Sequence, residues 1–281
     1  MQISIDSGDP KEIEQVLEWG FPINKVTSNP TTVSKTIMRD GGTVRDVVDK
    51  IRDTVGVTVP VSVETIGTPD YNPHNMDPEY FVREAFTIMG WDPYFVVKLP
   101  TVPEGLEAAR KLRDAVPINF TLVFSRHQAR LASVYGGMYV SPFVGRIDDK
   151  LGEEAENKRE GMDLVREIAE DYRNENFNTK ILTASTREER HLEKAKEYGS
   201  HVVTVPYTLF RHIYESRGDA GVKFIHNLRS SGRSYVPQNP RAPTFDASFD
   251  WSKMAPFEAE LVKEGVKTFL MHAKNAGYSI L

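Results

Sequence analysis

The 281-residue chain predicts an α/β fold of the (β/α)8 barrel type, eight parallel strands closed on themselves with one additional C-terminal helix packed on the barrel. Three observations carry that expectation. Short β-rich apolar runs alternate with longer helical patterns along the chain, the rhythm of repeated βα units. The rhythm occurs eight times, enough units to close. Proline stands where several helices would open, at Pro10, Pro30, Pro78, Pro103 and Pro206, a position at which its missing amide hydrogen costs nothing. A doubly wound open sheet ranks below this, because no glycine-rich dinucleotide turn follows the first strand.

In order, the strands are Ile3–Asp6, Lys25–Ser28, Val59–Glu64, Phe95–Leu99, Pro117–Leu122, Met138–Ser141, Lys180–Ala184 and Val202–Val205. The first four are followed by helical patterns at Pro10–Trp19, at Pro30–Arg39 with Thr43–Thr54, at Pro78–Met89 and at Pro103–Asp114. The last four precede Ser125–Tyr135, Asn157–Arg173, Arg187–Tyr198 and Pro206–Glu215. Two stretches break the rhythm. Residues Ile66 to Asp77 are dense in turn formers and predict a surface loop at the barrel mouth. Residues 229–249 form a polar, proline-rich loop before a helical extension over 250–281. Within Met254 to Lys274, Leu261, Val262, Val266, Phe269 and Leu270 recur at helical spacing, which predicts a helix docked on the barrel within one domain spanning 1–281.

Composition narrows the function classes. With 35 Lys+Arg against 40 Asp+Glu the formal charge is −5, so no global field draws nucleic acid or an anionic membrane, and neither is expected as a partner. There is no cysteine, which excludes disulfides, thiolate metal sites and a cysteine nucleophile. The 7 histidines form no cluster with ligand spacing at the strand ends, so no metal is expected, and no cofactor motif is visible. Met1 leads directly into strand-like sequence without a secretory pattern, and no window reaches membrane-span length; a cytoplasmic protein is expected.

Within this frame Phe95-Val96-Val97-Lys98-Leu99-Pro100 demands an explanation. The run reads as a strand buried on both faces, yet alternation points Lys98 inward with Val96. Burial favours the neutral amine, the form that attacks carbonyls, although a strand-end lysine can also snorkel to water. The strand ends decide between these. Such barrels build their sites at the C-terminal ends of several strands. In order those ends offer Asp6, Asn29, Glu64, Lys98, Asn119 with Thr121, Ser141 and Ser185. Two carboxylates and a lysine in one barrel must form a coupled, hydrogen-bonded group, an acid/base constellation around an amine. Arg146 and Arg187 lie just beyond the sixth and seventh strands, suited to a phosphate or another tetrahedral anion. Arg187 is expected to open a helix, where a cation is mildly unfavourable unless an anion binds there. His127 reads as a helix-surface or capping residue and His74 as a solvated loop residue.

These motifs resemble those of the transaldolase family. Thr27-Ser28-Asn29-Pro30-Thr31-Thr32 is similar to its second-strand signature, and Val97-Lys98-Leu99-Pro100 to its Schiff-base strand. Asn119-Phe120-Thr121-Leu122-Val123-Phe124-Ser125, Ser141-Pro142-Phe143-Val144-Gly145-Arg146-Ile147 and Ala184-Ser185 with Arg187 match its later strands. Trp251 and Glu264-Gly265-Val266-Lys267-Thr268-Phe269 resemble its terminal helix. The resemblance implies a TIM barrel that transfers a dihydroxyacetone unit between sugar phosphates in the pentose phosphate pathway, with no cofactor. It implies Lys98 as the Schiff-base lysine, Asp6 as general base, and Glu64 with Thr121 holding a proton-shuttling water. Asn29, Asn119, Ser141 and Phe143 would line the substrate; Arg146, Ser185 and Arg187 would take the phosphate. Members that act as fructose-6-phosphate aldolases carry tyrosine and glutamine where this chain has Phe143 and Glu64, which puts it on the transaldolase side. Thr186, where an aromatic is common, and the loop from Ile66 to Asp77 depart from the pattern and point to a specialised sugar. The terminal helix and Trp251 are candidates for a contact between copies in a homo-oligomer.

Overall fold

The computed structural model describes residues 1–152, 160–229 and 248–281. Its first half runs β1 (Gln2–Asp6), α1 (Pro10–Glu18), β2 (Lys25–Thr27), α2 (Pro30–Asp40), α3 (Val44–Val55), β3 (Val61–Glu64), α4 (Pro78–Trp91), β4 (Phe95–Pro100) and α5 (Pro103–Leu112). The second half continues through β5 (Ile118–Val123), α6 (Arg126–Val134), β6 (Tyr139–Pro142), α7 (Val144–Gly152), α8 (Gly161–Glu175), β7 (Lys180–Thr183), α9 (Glu189–Glu197) and β8 (Val202–Pro206). After these come α10 (Tyr207–Arg217), α11 (Asp219–Leu228) and α12 (Pro256–Ala276). Each strand pairs in parallel with the next, and β8 pairs with β1, so the sheet closes into the expected barrel.

Strand alternation sets what faces where. Ile3, Ile5, Val61, Val63, Val97, Leu99, Ile118 and Phe120 are fully buried in the layer shared with the helices. The alternate positions turn into the barrel and are unusually polar. Lys25 reaches Tyr139 on β6 at 3.0 Å, and Thr27 meets Thr204 on β8 at 2.6 Å. Because unpaired polar groups in such an interior are costly, they bond to one another across it.

Helix starts follow their capping chemistry. Asp9, Asn29, Thr43 and Ser125 each accept a backbone N–H from the first turn they precede, and Pro10, Pro30, Pro78 and Pro103 occupy opening turns. Two expectations are corrected. Pro206 ends β8 in an extended conformation and precedes α10 rather than opening it. Arg187 lies in the loop before α9, which begins at Glu189, so it opens no helix. Helices α7 and α11 are additional to the eightfold pattern. The predicted helix at Asn157–Arg173 is found over Gly161–Glu175, its positions 157–159 lying outside the described residues. Of the predicted 229–249 loop, residues 230–247 also lie outside them.

The loop after β3 is tightly tied. Asp70 accepts from Thr68 at 2.6 Å and from Asn75 at 2.7 Å, while the buried Glu84 carboxyl on α4 accepts the Gly67 amide at 2.8 Å. Gly67 has φ +70° and packs so closely on Phe81 that a Cβ would stand 2.1 Å from the ring, which only glycine avoids. Helix α12 buries Leu261, Val262, Gly265, Val266, Phe269 and Leu270 against α2, α7 and β5, as its apolar period requires. None of the described helices is long and apolar enough to cross a membrane.

Candidate active site

Register assembles the centre of the site. Lys98 on β4 lies opposite Glu64 on β3 and Asn119 on β5, so three inward polar side chains meet in one layer. Lys98 is 4% exposed, which rules out snorkelling. Its ammonium lies 2.8 Å from Glu64 Oε2 and donates to the Ser28 carbonyl at 2.7 Å. The Ser28 side chain turns away and donates to the Ser62 carbonyl at 2.9 Å. Burial pushes the Glu64 carboxyl up, and Asp6 adds to that, against the pull of Lys98. The Glu64 carbonyl accepts a hydrogen bond from the buried Tyr278 hydroxyl, so the end of β3 is held from its far side as well.

Asp6, at the end of β1, accepts from the Thr27 hydroxyl at 3.1 Å. Burial pushes its carboxyl up, opposed by Lys98, the Thr27 hydroxyl and Arg187. Two carboxylates near one ammonium, both less readily ionised than usual, are placed to take and return protons.

A cavity of about 160 Å³ opens over this centre. Of the predicted site residues, Asp6, Asn29, Lys98, Ser141, Phe143, Arg146, Ser185 and Arg187 line it. Asn29 spends its side-chain oxygen capping α2, accepting the Thr32 amide at 3.0 Å. Ser185 has φ +59°, a left-handed conformation uncommon for serine, at the turn that brings Arg187 to the rim. The Arg187 amide donates to His191 Nδ1 at 3.1 Å, and His191 Nε2 lies 3.0 Å from Asp148, which fixes that loop. Burial, and then the neighbouring Arg187, push Arg146 down, so the site gathers positive charge that an anion would relieve.

Three predicted residues stand behind the wall rather than on it. Asn119 is fully buried and accepts from Ser141 at 2.7 Å, so it positions a wall residue. Glu64 reaches the cavity through Lys98. Thr121 is fully buried, and among the described residues its hydroxyl has no hydrogen-bond partner. Just after it β5 shifts register and Leu122 takes φ +55°, a bulge that re-aims the strand end toward α12.

The structure adds Thr27, Thr31, Thr204 and Phe269 to the wall. Thr204 was recoverable from alternation on β8, which completes the polar ring on all eight strands. Thr186 also serves that strand, donating to the Thr204 carbonyl at 2.9 Å. His127 accepts the Asp250 amide at 3.2 Å and contacts the Phe249 ring, tying α6 to the approach to α12. His74 lies exposed in the short turn Pro73–Asn75. Among the described residues no three histidine or carboxylate side chains are grouped as metal ligands would be.

Comparison with known proteins places the chain in a family. The profile of the family described as Transaldolase/Fructose-6-phosphate aldolase matches residues 3–280. A probable transaldolase of Aquifex aeolicus is 37% identical over 216 residues, covering 76% of this chain and 89% of its own. One from Anaeromyxobacter is 38% identical over 226 residues, covering 79% and 94%, and one from Thermus thermophilus is 33% identical over 215 residues, covering 76% and 90%. The chain belongs to the transaldolase/fructose-6-phosphate aldolase family.

Proposed function

We propose that the protein is a transaldolase, moving a dihydroxyacetone unit from a ketose phosphate of the fructose 6-phosphate or sedoheptulose 7-phosphate type to an aldose phosphate. The observation that carries this reading is the buried Lys98 ammonium, 2.8 Å from Glu64 in a cavity that Asp6, Arg146 and Arg187 also line. Loss of a proton from Lys98 to Glu64 frees the amine to attack the ketose carbonyl, and elimination of water leaves a protonated imine. Asp6 takes the C4 hydroxyl proton, the C3–C4 bond breaks, and its electron pair flows into the imine to give an enamine. The aldose leaves. In the second half the enamine carbon attacks the acceptor aldehyde, Asp6 returns its proton to the new alkoxide, and water releases the product from Lys98.

Ser141 and Asn29 supply polar groups for the donor hydroxyls, and Arg146 with Arg187 hold the terminal anion. Phe143 supports transfer over release of free dihydroxyacetone, because it puts no phenolic proton at the cavity to quench the enamine. Borohydride added with fructose 6-phosphate should trap a dihydroxyacetone adduct on Lys98, located by peptide mass. Without borohydride, about one equivalent of aldose per site should be released in the absence of acceptor, and continued release should require an acceptor aldehyde. Dihydroxyacetone accumulating without acceptor would identify an aldolase, and an unmodified Lys98 would defeat both readings.

A further inference from the structure

Arg146 is held in an unusual way. Its guanidinium carbon lies 5.6 Å from the Phe143 ring centre and 5.5 Å from the Phe269 ring centre, a cation between two aromatic side chains. Among the described residues it has no hydrogen bond and no carboxylate within 4 Å; Glu64, Asp149 and Glu264 act on it only from farther away. Arg187 differs, being exposed and paired with Asp149 at 3.2 Å. The less accessible of the two rim arginines is therefore positioned by rings and keeps its donors free.

One of those rings comes from α12, outside the βα repeat. The helix is shaped to accept the arginine. Gly265 lies one turn before Phe269 on the same face, and a Cβ there would stand 3.0 Å from Arg146 Nη1 and 2.7 Å from Leu122 Cδ2. The next turn is fastened to the cavity rim, since Thr31, a wall residue on α2, hydrogen-bonds His272 Nδ1 at 2.8 Å. Phe269 itself lines the cavity with Lys98 and Asp6.

We propose that α12 is a working part of the site, with Phe269 a positioning residue that clamps Arg146 against Phe143 and so confers selectivity for substrates ending in a phosphate. This rests on reading the cavity as a sugar-phosphate site. The clamp acts on the substrate's terminal anion and leaves the chemistry at Lys98 alone. Two variants separate its parts. Phe269→Leu keeps an apolar side chain and removes the ring face, whereas Phe269→Tyr keeps the ring.

Phe269→Leu should raise KM for fructose 6-phosphate roughly 5- to 20-fold, the range a partly desolvated cation–π contact supplies, with kcat little changed. Borohydride trapping of dihydroxyacetone, which has no phosphate, should proceed at the wild-type rate in the same variant. Phe269→Tyr should restore KM. Gly265→Ala, which crowds the guanidinium, should reproduce the phosphate-selective defect. Inorganic phosphate gives a readout independent of turnover. It should raise the melting temperature of the wild type and of Phe269→Tyr, and raise that of Phe269→Leu less. Equal losses with dihydroxyacetone and fructose 6-phosphate would reduce Phe269 to a packing residue and overturn the proposal, as would an unchanged KM or no recovery in Phe269→Tyr. Failure of the wild type to trap any ketose on Lys98 would instead defeat the transaldolase reading, and the phosphate melts would still decide whether the clamp binds an anion.

Discussion

The barrel interior holds two buried lysines in contrasting settings. Lys98 stands toward the C-terminal end of β4, facing Glu64 at 2.8 Å and the cavity above. Lys25 opens β2 near the barrel floor, is 1% exposed, and donates to the Tyr139 hydroxyl at 3.0 Å with its ammonium over that ring. Among the described residues no carboxylate pairs with it, and burial together with Lys180 pushes it down to about 8. Burial makes both lysines unusual, but only one meets a cavity and carboxylates that can move its protons. On the proposed mechanism, an amine serves as nucleophile through its position in the barrel and the acids beside it; low exposure alone is insufficient.

The sharpest break between the two is covalent. Lys98→Met should abolish borohydride trapping and lower transfer by at least about 10³-fold, as loss of a covalent nucleophile does, while Lys25→Met should trap dihydroxyacetone like the wild type. Trapping lost in both variants would erase the distinction. Asp6→Asn should come next. Loss of a general base should cost roughly 10² to 10⁴ in kcat with fructose 6-phosphate, yet dihydroxyacetone should still be trapped, because no carbon–carbon bond breaks in that experiment.

Lys25 should reveal itself through stability. Its folded pKa lies below the unfolded value, so between about pH 8 and 10.5 the unfolded chain binds more protons and stability rises with pH. Full depression corresponds to about 3 kcal/mol of destabilisation at neutral pH, by the usual conversion of pKa shifts into free energy. Lys25→Met should stabilise the fold by roughly 1 to 3 kcal/mol in urea titrations at pH 7 and flatten the rise toward pH 10.5. A destabilised variant would show that the Tyr139 contact outweighs the cost of burial. The smallest effect is expected at Tyr278→Phe, which removes the hydrogen bond to the Glu64 carbonyl. It should cost about 0.5 to 1.5 kcal/mol in stability and slow trapping on Lys98 modestly; unchanged trapping would show that β3 holds Glu64 without it.

Much of this was legible in the chain, because strand alternation and the barrel rule depend only on the order of residues. Every predicted strand appears, its ends moved by no more than about two residues as boundaries usually are, and Lys98 with Glu64 and Asp6 followed from reading the strand ends. Helix α7 was missed although Val144, Ile147 and Leu151 lie on one helical face, because the motif beginning Ser141-Pro142 looks like a loop. The Ser28 carbonyl that accepts from Lys98 carries no side-chain signature at all. Phe269 was read as one apolar position of a docked helix; its meeting with Arg146 depends on how that helix crosses the mouth, which periodicity does not encode.

The hydrogen bond from Tyr278 to the carbonyl of Glu64 joins residues 214 positions apart. On a ribosome, all eight strands have been made before this tyrosine emerges. The barrel can begin to close while the end of its third strand still lacks that partner. Synthesis therefore imposes an order, in which the enclosure can form first and the Tyr278 support of Glu64 arrives afterwards.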